Sequence, residues 1–186
     1  KMERDGVEKN LEYNAILRFI FGDMVEALTI LVMKSAKIDI ESEQEKVDLQ
    51  LGKNSISGTL DVEIDGKVWD IKSASPYAFE HKFGDMGGYK KIKEDDVFGY
   101  IVQGYLYSQA KDKDFGGWIV VNKASGEWTV CEAPAVQEED KKEALALAEK
   151  NLKALIKGEK FKRCFTDTKE TYKASDGTMK DTGNRL

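Results

Sequence analysis

The sequence predicts an α/β fold, a mixed central β-sheet flanked by helices, on three observations. An apolar, helix-like stretch opens the chain. Alternating strand-like runs follow, two of which meet at Asp65-Gly66, and helical and strand-like segments then alternate toward the C-terminal region. The order of helices, three strands, helix, two strands and helix buries its apolar faces when the helices cover a shared sheet.

Residues from about Val7 to Lys37 read as helix, with Leu11, Ala15, Leu17 and Phe19 as apolar positions. Gly22-Asp23 is the expected division of this stretch into two helices. Lys46 to Leu51, Ser55 to Ile64 and Lys67 to Ser73 alternate like strands. Asp65-Gly66 predicts a hairpin between the last two, because a type I′ turn needs positive φ at both central residues. Pro76 to Lys93 reads as a polar connection in which Gly84, Gly87 and Gly88 allow movement. A helix opened by Glu94-Asp95-Asp96 runs to about Ala110, and strands from Gly117 to Asn122 and Glu127 to Glu132 meet at Ser125-Gly126. A last helix, about Glu138 to Lys157, aligns Leu145, Ala148, Leu152 and Leu155 on one face and stops at Gly158. Residues 1–165 are expected to form a single domain, and 166–186 a polar, mobile tail.

At 186 residues the chain can bury a core without disulfide or metal staples. Its two cysteines, Cys131 and Cys164, show no metal-binding spacing. That speaks against structural zinc and suits a reducing cytoplasm. No apolar run approaches the roughly 18 residues that span a bilayer, so no membrane partner is expected. The net charge of −5 argues mildly against a nucleic-acid partner, since phosphate-binding surfaces are usually basic. What matters is whether lysines gather near the carboxylates.

The hairpin suggests that they do. A two-residue loop at Asp65-Gly66 sets Ile64 opposite Lys67, Glu63 opposite Val68, Val62 opposite Trp69 and Asp61 opposite Asp70. Asp61, Asp70 and Lys72 then share one face, while Val62, Ile64, Trp69 and Ile71 take the other. Like charges directly opposite one another destabilise a sheet, and a divalent cation with hard oxygen ligands removes the conflict. Lys72 could stabilise phosphate charge, orient a water or donate to the carboxylates. On the residues alone, a solvated strand face with an ordinary salt bridge fits as well. Glu26 adds a third carboxylate. It sits in the apolar run Met24 to Met33, where a buried carboxylate needs a lysine or a metal as partner, or else serves as a helix-start glutamate.

Farther along, Val97, Phe98, Ile101, Val102, Tyr105 and Leu106 form one apolar helix face. Tyr100, Gln103 and Tyr107 cluster opposite, with Gly99 and Gly104 beside them to let another chain approach. Hydroxyls, an amide and ring faces suit phosphates and unstacked bases; packing beneath a loop is the plain alternative. Ser73, Lys90, Lys91 and Lys123 are further candidates for phosphate contacts, and His81 has no assigned role.

Gly58-Thr59-Leu60-Asp61, followed by Asp70-Ile71-Lys72, resembles the split signature of the PD-(D/E)XK nuclease superfamily. Gln103-Gly104-Tyr105-Leu106-Tyr107 resembles the QxxxY helix of its RecB-type branch, which includes phage exonucleases. The signatures fall in the family's order, over roughly Gly22 to Val130. The resemblance implies a restriction-endonuclease-like core and metal-dependent hydrolysis of DNA. It implies magnesium, or manganese in its place, held by Asp61, Asp70 and the main-chain carbonyl of Ile71. Lys72 would be the catalytic lysine, Gln103 and Tyr107 would position substrate, and Glu26 would stand where relatives carry histidine or glutamate. The cysteines that hold an iron–sulfur cluster in some relatives are absent, so no cluster is expected. The expected activity is that of an exonuclease in phage or mobile-element DNA replication or recombination, working in the host cytoplasm alongside replication or recombination proteins. A flap or junction endonuclease on the same site, and a non-catalytic DNA-binding domain, are the alternatives.

Overall fold

The computed structural model describes residues 13–94, 96, 98–159, 169–174 and 177–185. Asp65 and Gly66 both take positive φ, 51° and 69°, and close the hairpin between β2 (Asn54–Ile64) and β3 (Lys67–Ala74). The pairs Val62↔Trp69, Glu63↔Val68 and Ile64↔Lys67 carry the expected register. β1 (Ser42–Leu51) extends this meander antiparallel to β2. β3 pairs in parallel with β4 (Asp114–Asn122), so the chain must cross over between them. That crossover carries the short helix α2 (Pro76–Ala78), a π-helical turn (Phe79–Phe83), α3 (Tyr89–Glu94) and α4 (Tyr100–Lys111). β5 (Trp128–Glu132) returns antiparallel to β4 and completes a five-stranded mixed sheet in the order β1-β2-β3-β4-β5. The fold is α/β, as the pattern of elements predicts.

Helices cover both faces. From α1 (Tyr13–Ser35), Ile30 and Met33 pack with Val62, Ile71 and Ile119. On the opposite face, Ile101 and Tyr105 of α4 meet Phe115, Trp118 and Val120, and α5 (Glu138–Ile156) adds Ala144. The neighbours Ile119 and Val120 thus point to different helices, as strand alternation requires. Burying each large apolar side chain here stabilises the fold by roughly 2–3 kcal/mol. Gly104 lets α4 approach the sheet, because a Cβ there would lie 2.4 Å from the Phe115 ring. Its small size serves helix–sheet packing and not the approach of another chain.

Several expectations are corrected. Gly22 does not divide the first helix: α1 runs unbroken, since one interior glycine costs only about 1 kcal/mol against alanine. The expected start at Val7 lies outside the described residues. α1 is also less buried than its apolar composition suggests, with Phe19 62% and Met24 65% exposed, because a sheet covers only one side of a helix. α4 begins at Tyr100, after Gly99, and Asp96 caps it by accepting from the Tyr100 and Ile101 N–H groups at 2.7 and 2.9 Å. Phe98 therefore precedes the helix and is 72% exposed, away from the apolar face assigned to it; Val97 lies outside the described residues. The glycines of 76–93 close a tight turn: a Cβ on Gly87 would lie 2.3 Å from the Lys82 carbonyl oxygen.

The chain divides into two compact units, Lys1–Lys150 and Asn151–Leu186. Within the second, where the sequence reads as a polar tail, β6 (Lys169–Lys173) and β7 (Met179–Arg185) pair antiparallel. Among the described residues, no helix is long and apolar enough to cross a membrane.

Two glycine substitutions separate helix propensity from packing. A Cβ on Gly22 meets nothing within 4 Å, so Gly22→Ala is expected to stabilise the fold by about 1 kcal/mol. Gly104→Ala is expected to destabilise it by about 1–3 kcal/mol through overpacking against Phe115. Urea denaturation followed by circular dichroism measures both.

Candidate active site

Leu60 and Val62 lie two residues apart on β2 and are both fully buried, yet they enter different clusters. Leu60 packs with Val68 and, from α4, Tyr107 and Ala110; Val62 packs with Ile30 and Met33 of α1. Residues two apart on a regular strand share a face, so the strand turns over at the residue between them, Asp61. The β2–β3 ladder stops at Val62↔Trp69, one step short of the expected Asp61–Asp70 pair. In place of a ladder bond, the Ile71 N–H donates to Asp61 Oδ2 at 2.6 Å.

This turn gathers side chains from four elements. Asp70, on β3, is 2% exposed, and Lys72 Nζ donates to its Oδ1 at 2.7 Å. The same ammonium donates to Gln103 Oε1 of α4 at 3.4 Å and lies 5.6 Å from the centroid of the Tyr100 ring. Glu26, reaching in from α1, accepts from Gln44 Nε2 of β1 and lies close enough to Asp61 for the two carboxyls to act on each other's charge. Gln44 takes a positive φ of 48°. The sequence reading missed Gln44, since nothing local marks a glutamine whose role is to meet a helix 18 positions earlier.

Burial sets the electrostatics of the cluster. It pushes the Glu26 carboxyl up to about 7, with the charge of Asp61 adding to the rise. Burial also pushes Asp61 up to about 6, helped by Asp70 and opposed by the Ile71 N–H. Asp70 is raised by burial against the pull of Lys72. Burial alone would depress the Lys72 ammonium, but Asp70 and Asp61 hold it above its usual range. The result is an excess of carboxylates held around one cation.

The remaining candidates separate into those near the cluster and those away from it. Ser73 follows Lys72 on β3, and alternation turns it to the α1 face with Ile71. Tyr107 packs over β2, where a Cβ on Gly58 would lie 2.7 Å from its ring. Of the QxxxY residues, Gln103 therefore reaches the Lys72 ammonium and Tyr107 reaches Gly58. Lys91 pairs with Glu94 at 3.5 Å, and Lys90 is exposed beside it on α3. Lys123 lines a cavity of about 400 Å³ with Phe21, Met24 and Trp128. His81 stands with its ring centroid 4.4 Å from that of Tyr77.

The donors suit a hard cation. Asp70 Oδ2 is buried without a hydrogen-bond partner, and Asp61 and Glu26 supply further carboxylate oxygens. Among the described residues, no three His, Cys, Asp or Glu side chains already stand as a formed metal-binding group. Asp70 is turned to Lys72, Asp61 to the Ile71 N–H and Glu26 to Gln44. Cys131 is a buried free thiol, and Cys164 lies outside the described residues.

No protein-family model and no curated protein matches this sequence. Among solved structures, one described as the crystal structure of SSO0001 is similar at a TM-score of 0.40 and 17% identity. The match covers 76% of this chain and 61% of that one, so this chain spans less than two thirds of that protein's length.

The raised carboxyls set a pH dependence of stability. Between the ordinary glutamate value of 4.5 and its folded value of about 7, Glu26 holds its proton more tightly in the native state than in the unfolded chain. Its contribution is therefore greatest at low pH and is lost as pH rises through that window. Thermal midpoints recorded in EDTA are expected to fall from about pH 5 to pH 8 in the wild type. Glu26→Gln, which keeps the neutral form, should flatten that fall.

Proposed function

We propose that this protein is a magnesium-dependent DNA nuclease of the PD-(D/E)XK type. The observation that carries the reading is the single cluster formed by Asp61, Asp70, Lys72, Glu26 and Gln103, centred on a buried aspartate. Asp61, Asp70, the Ile71 carbonyl and Glu26 would hold the metal. When bound, magnesium or manganese supplies counter-charge to the carboxylates and Lewis-acid polarisation to a phosphate oxygen.

The side chains of this chain do the positioning. Lys72 remains protonated beside Asp70 and offers a fixed positive charge where a phosphodiester gains negative charge during hydrolysis. Gln103 holds that ammonium from the α4 side, and Glu26 supports Asp61 from the α1 side. Tyr100 places a ring face next to the same ammonium. The order of the motifs supports DNA as substrate, and action at ends in phage or mobile-element replication or recombination is inferred from the resemblance alone.

End-labelled linear DNA and closed circular DNA, digested with magnesium, test this reading. The wild type is expected to degrade linear DNA and spare circles. Lys72→Ala should lower the rate by at least about a hundredfold, the scale of a lost transition-state charge. Nicked or linearised circles would make the enzyme an endonuclease on the same site. No cleavage of single- or double-stranded DNA with magnesium or manganese would leave a DNA-binding domain in its place.

A further inference from the structure

Beside the carboxylate cluster lies an aromatic and cationic surface that the hydrolytic residues do not use. Phe98 stands 72% exposed just before α4, its ring stacked on Tyr100 with centroids 5.6 Å apart and planes at 24°. Lys82 Nζ lies 5.2 Å from the Phe98 centroid and 4.8 Å from that of Tyr100. On the same tyrosine ring rests Lys72, the cation of the proposed active site. One ring thus stands next to two ammoniums.

These groups are held in place by packing. Phe83 is buried, and its ring stands 5.8 Å from Tyr100 and 6.1 Å from Trp118, which anchors the π-helical turn that carries Lys82. The Gly88 N–H donates to the Lys82 carbonyl at 2.9 Å, and the missing side chain of Gly87 lets that loop close. π-helical turns are costly relative to α-helix and occur frequently at functional sites. Among the described residues no carboxylate pairs with Lys82, whereas on α3 Lys91 pairs with Glu94 and Lys93 with both Asp140 and Glu143. A phenyl ring backed by a second ring, with an unneutralised ammonium at its side, matches what a nucleotide offers: a flat base and an anionic phosphate.

We propose that Phe98, Tyr100 and Lys82 form a subsite for an unpaired nucleotide, with the base stacking on Phe98 and the phosphate held by Lys82. It rests on the nuclease reading and adds a substrate preference to it. A base inside a duplex is already stacked on both sides, so this platform favours single-stranded DNA or a frayed end. Base–aromatic stacking tolerates any base, so the subsite selects strandedness and not sequence.

Fluorescence anisotropy in EDTA, where no cleavage competes, reads binding of a labelled single-stranded oligonucleotide and of the same strand with abasic positions. Phe98→Ala is expected to weaken binding of the normal strand roughly tenfold, a typical loss for one stacked base. Phe98→Tyr should keep it, and on the abasic strand wild type and Phe98→Ala should bind alike. Lys82→Gln should lower the slope of log affinity against log salt by about one. The subsite is overturned if Phe98→Ala binds the normal strand as wild type does, or if it loses equally on the abasic strand, which marks a structural effect. Either result leaves the nuclease reading standing provided the wild type cleaves DNA with magnesium. A wild type that neither binds nor cleaves removes both.

Discussion

The structure turns on the burial of one carboxylate. Asp70 sits in the middle of the central strand β3 at 2% exposure, where an unpaired charge would cost several kcal/mol. Lys72, two residues along the same strand and on the same face, gives it a partner at 2.7 Å. The match is incomplete, because Asp70 Oδ2 stays buried without a partner, and Asp61 and Glu26 bring further carboxyls to the same place. Burial dominates at Asp70 and keeps its carboxyl easy to protonate, while the surrounding carboxylates dominate at Lys72 and keep its ammonium charged. A core selected for stability alone would not gather three acids around one base. The proposed cation and phosphate site would need both signs together.

The reversal of β2 at Asp61 lets the two helical layers share that site. Before Asp61 the strand buries toward α4, through Leu60; after it, toward α1, through Val62. A regular strand would have sent Asp61 to one layer only. Because the strand turns over, Asp61 meets Glu26 from α1 while its neighbour Asp70 meets Lys72 and, through it, Gln103 of α4. The site is therefore braced by both faces of the sheet, with the Ile71 N–H fixing Asp61 between them. On the α4 side, Gly58 and Gly104 permit close packing against Tyr107 and Phe115 and so hold the helix at the distance Gln103 requires.

The sequence shows clearly what local chemistry determines. Asp65-Gly66 can make only a few kinds of turn, so the hairpin register was legible as far as Val62↔Trp69, but the turn-over of β2 at Asp61 was not. The apolar surroundings of Glu26 marked it as a carboxyl in need of a partner. Contacts that depend on distant elements were hidden. Gly104 reads as a small residue on a helix surface until Phe115 is placed against it, and Gln44 is unremarkable until α1 crosses β1. Phe98 fits a helical apolar period, yet the helix begins only at Tyr100, after Gly99 at a positive φ of 72°, and leaves that ring outside. The apolar outer side of α1 misled in the opposite direction, since hydrophobicity says what a helix could bury and not how much sheet lies beneath it.

Calorimetric titration of magnesium and manganese decides whether these carboxylates form the proposed cation site. Run at about pH 6.5 in buffers of different ionisation heat, the titration reports both binding and proton release. Saturable binding is expected in the wild type, with protons released because burial pushes the Glu26 and Asp61 carboxyls up to about 7 and about 6. Both signals should disappear in Asp70→Asn. A wild type that takes up neither metal, or an Asp70→Asn variant that binds as tightly as the wild type, would contradict the proposed site.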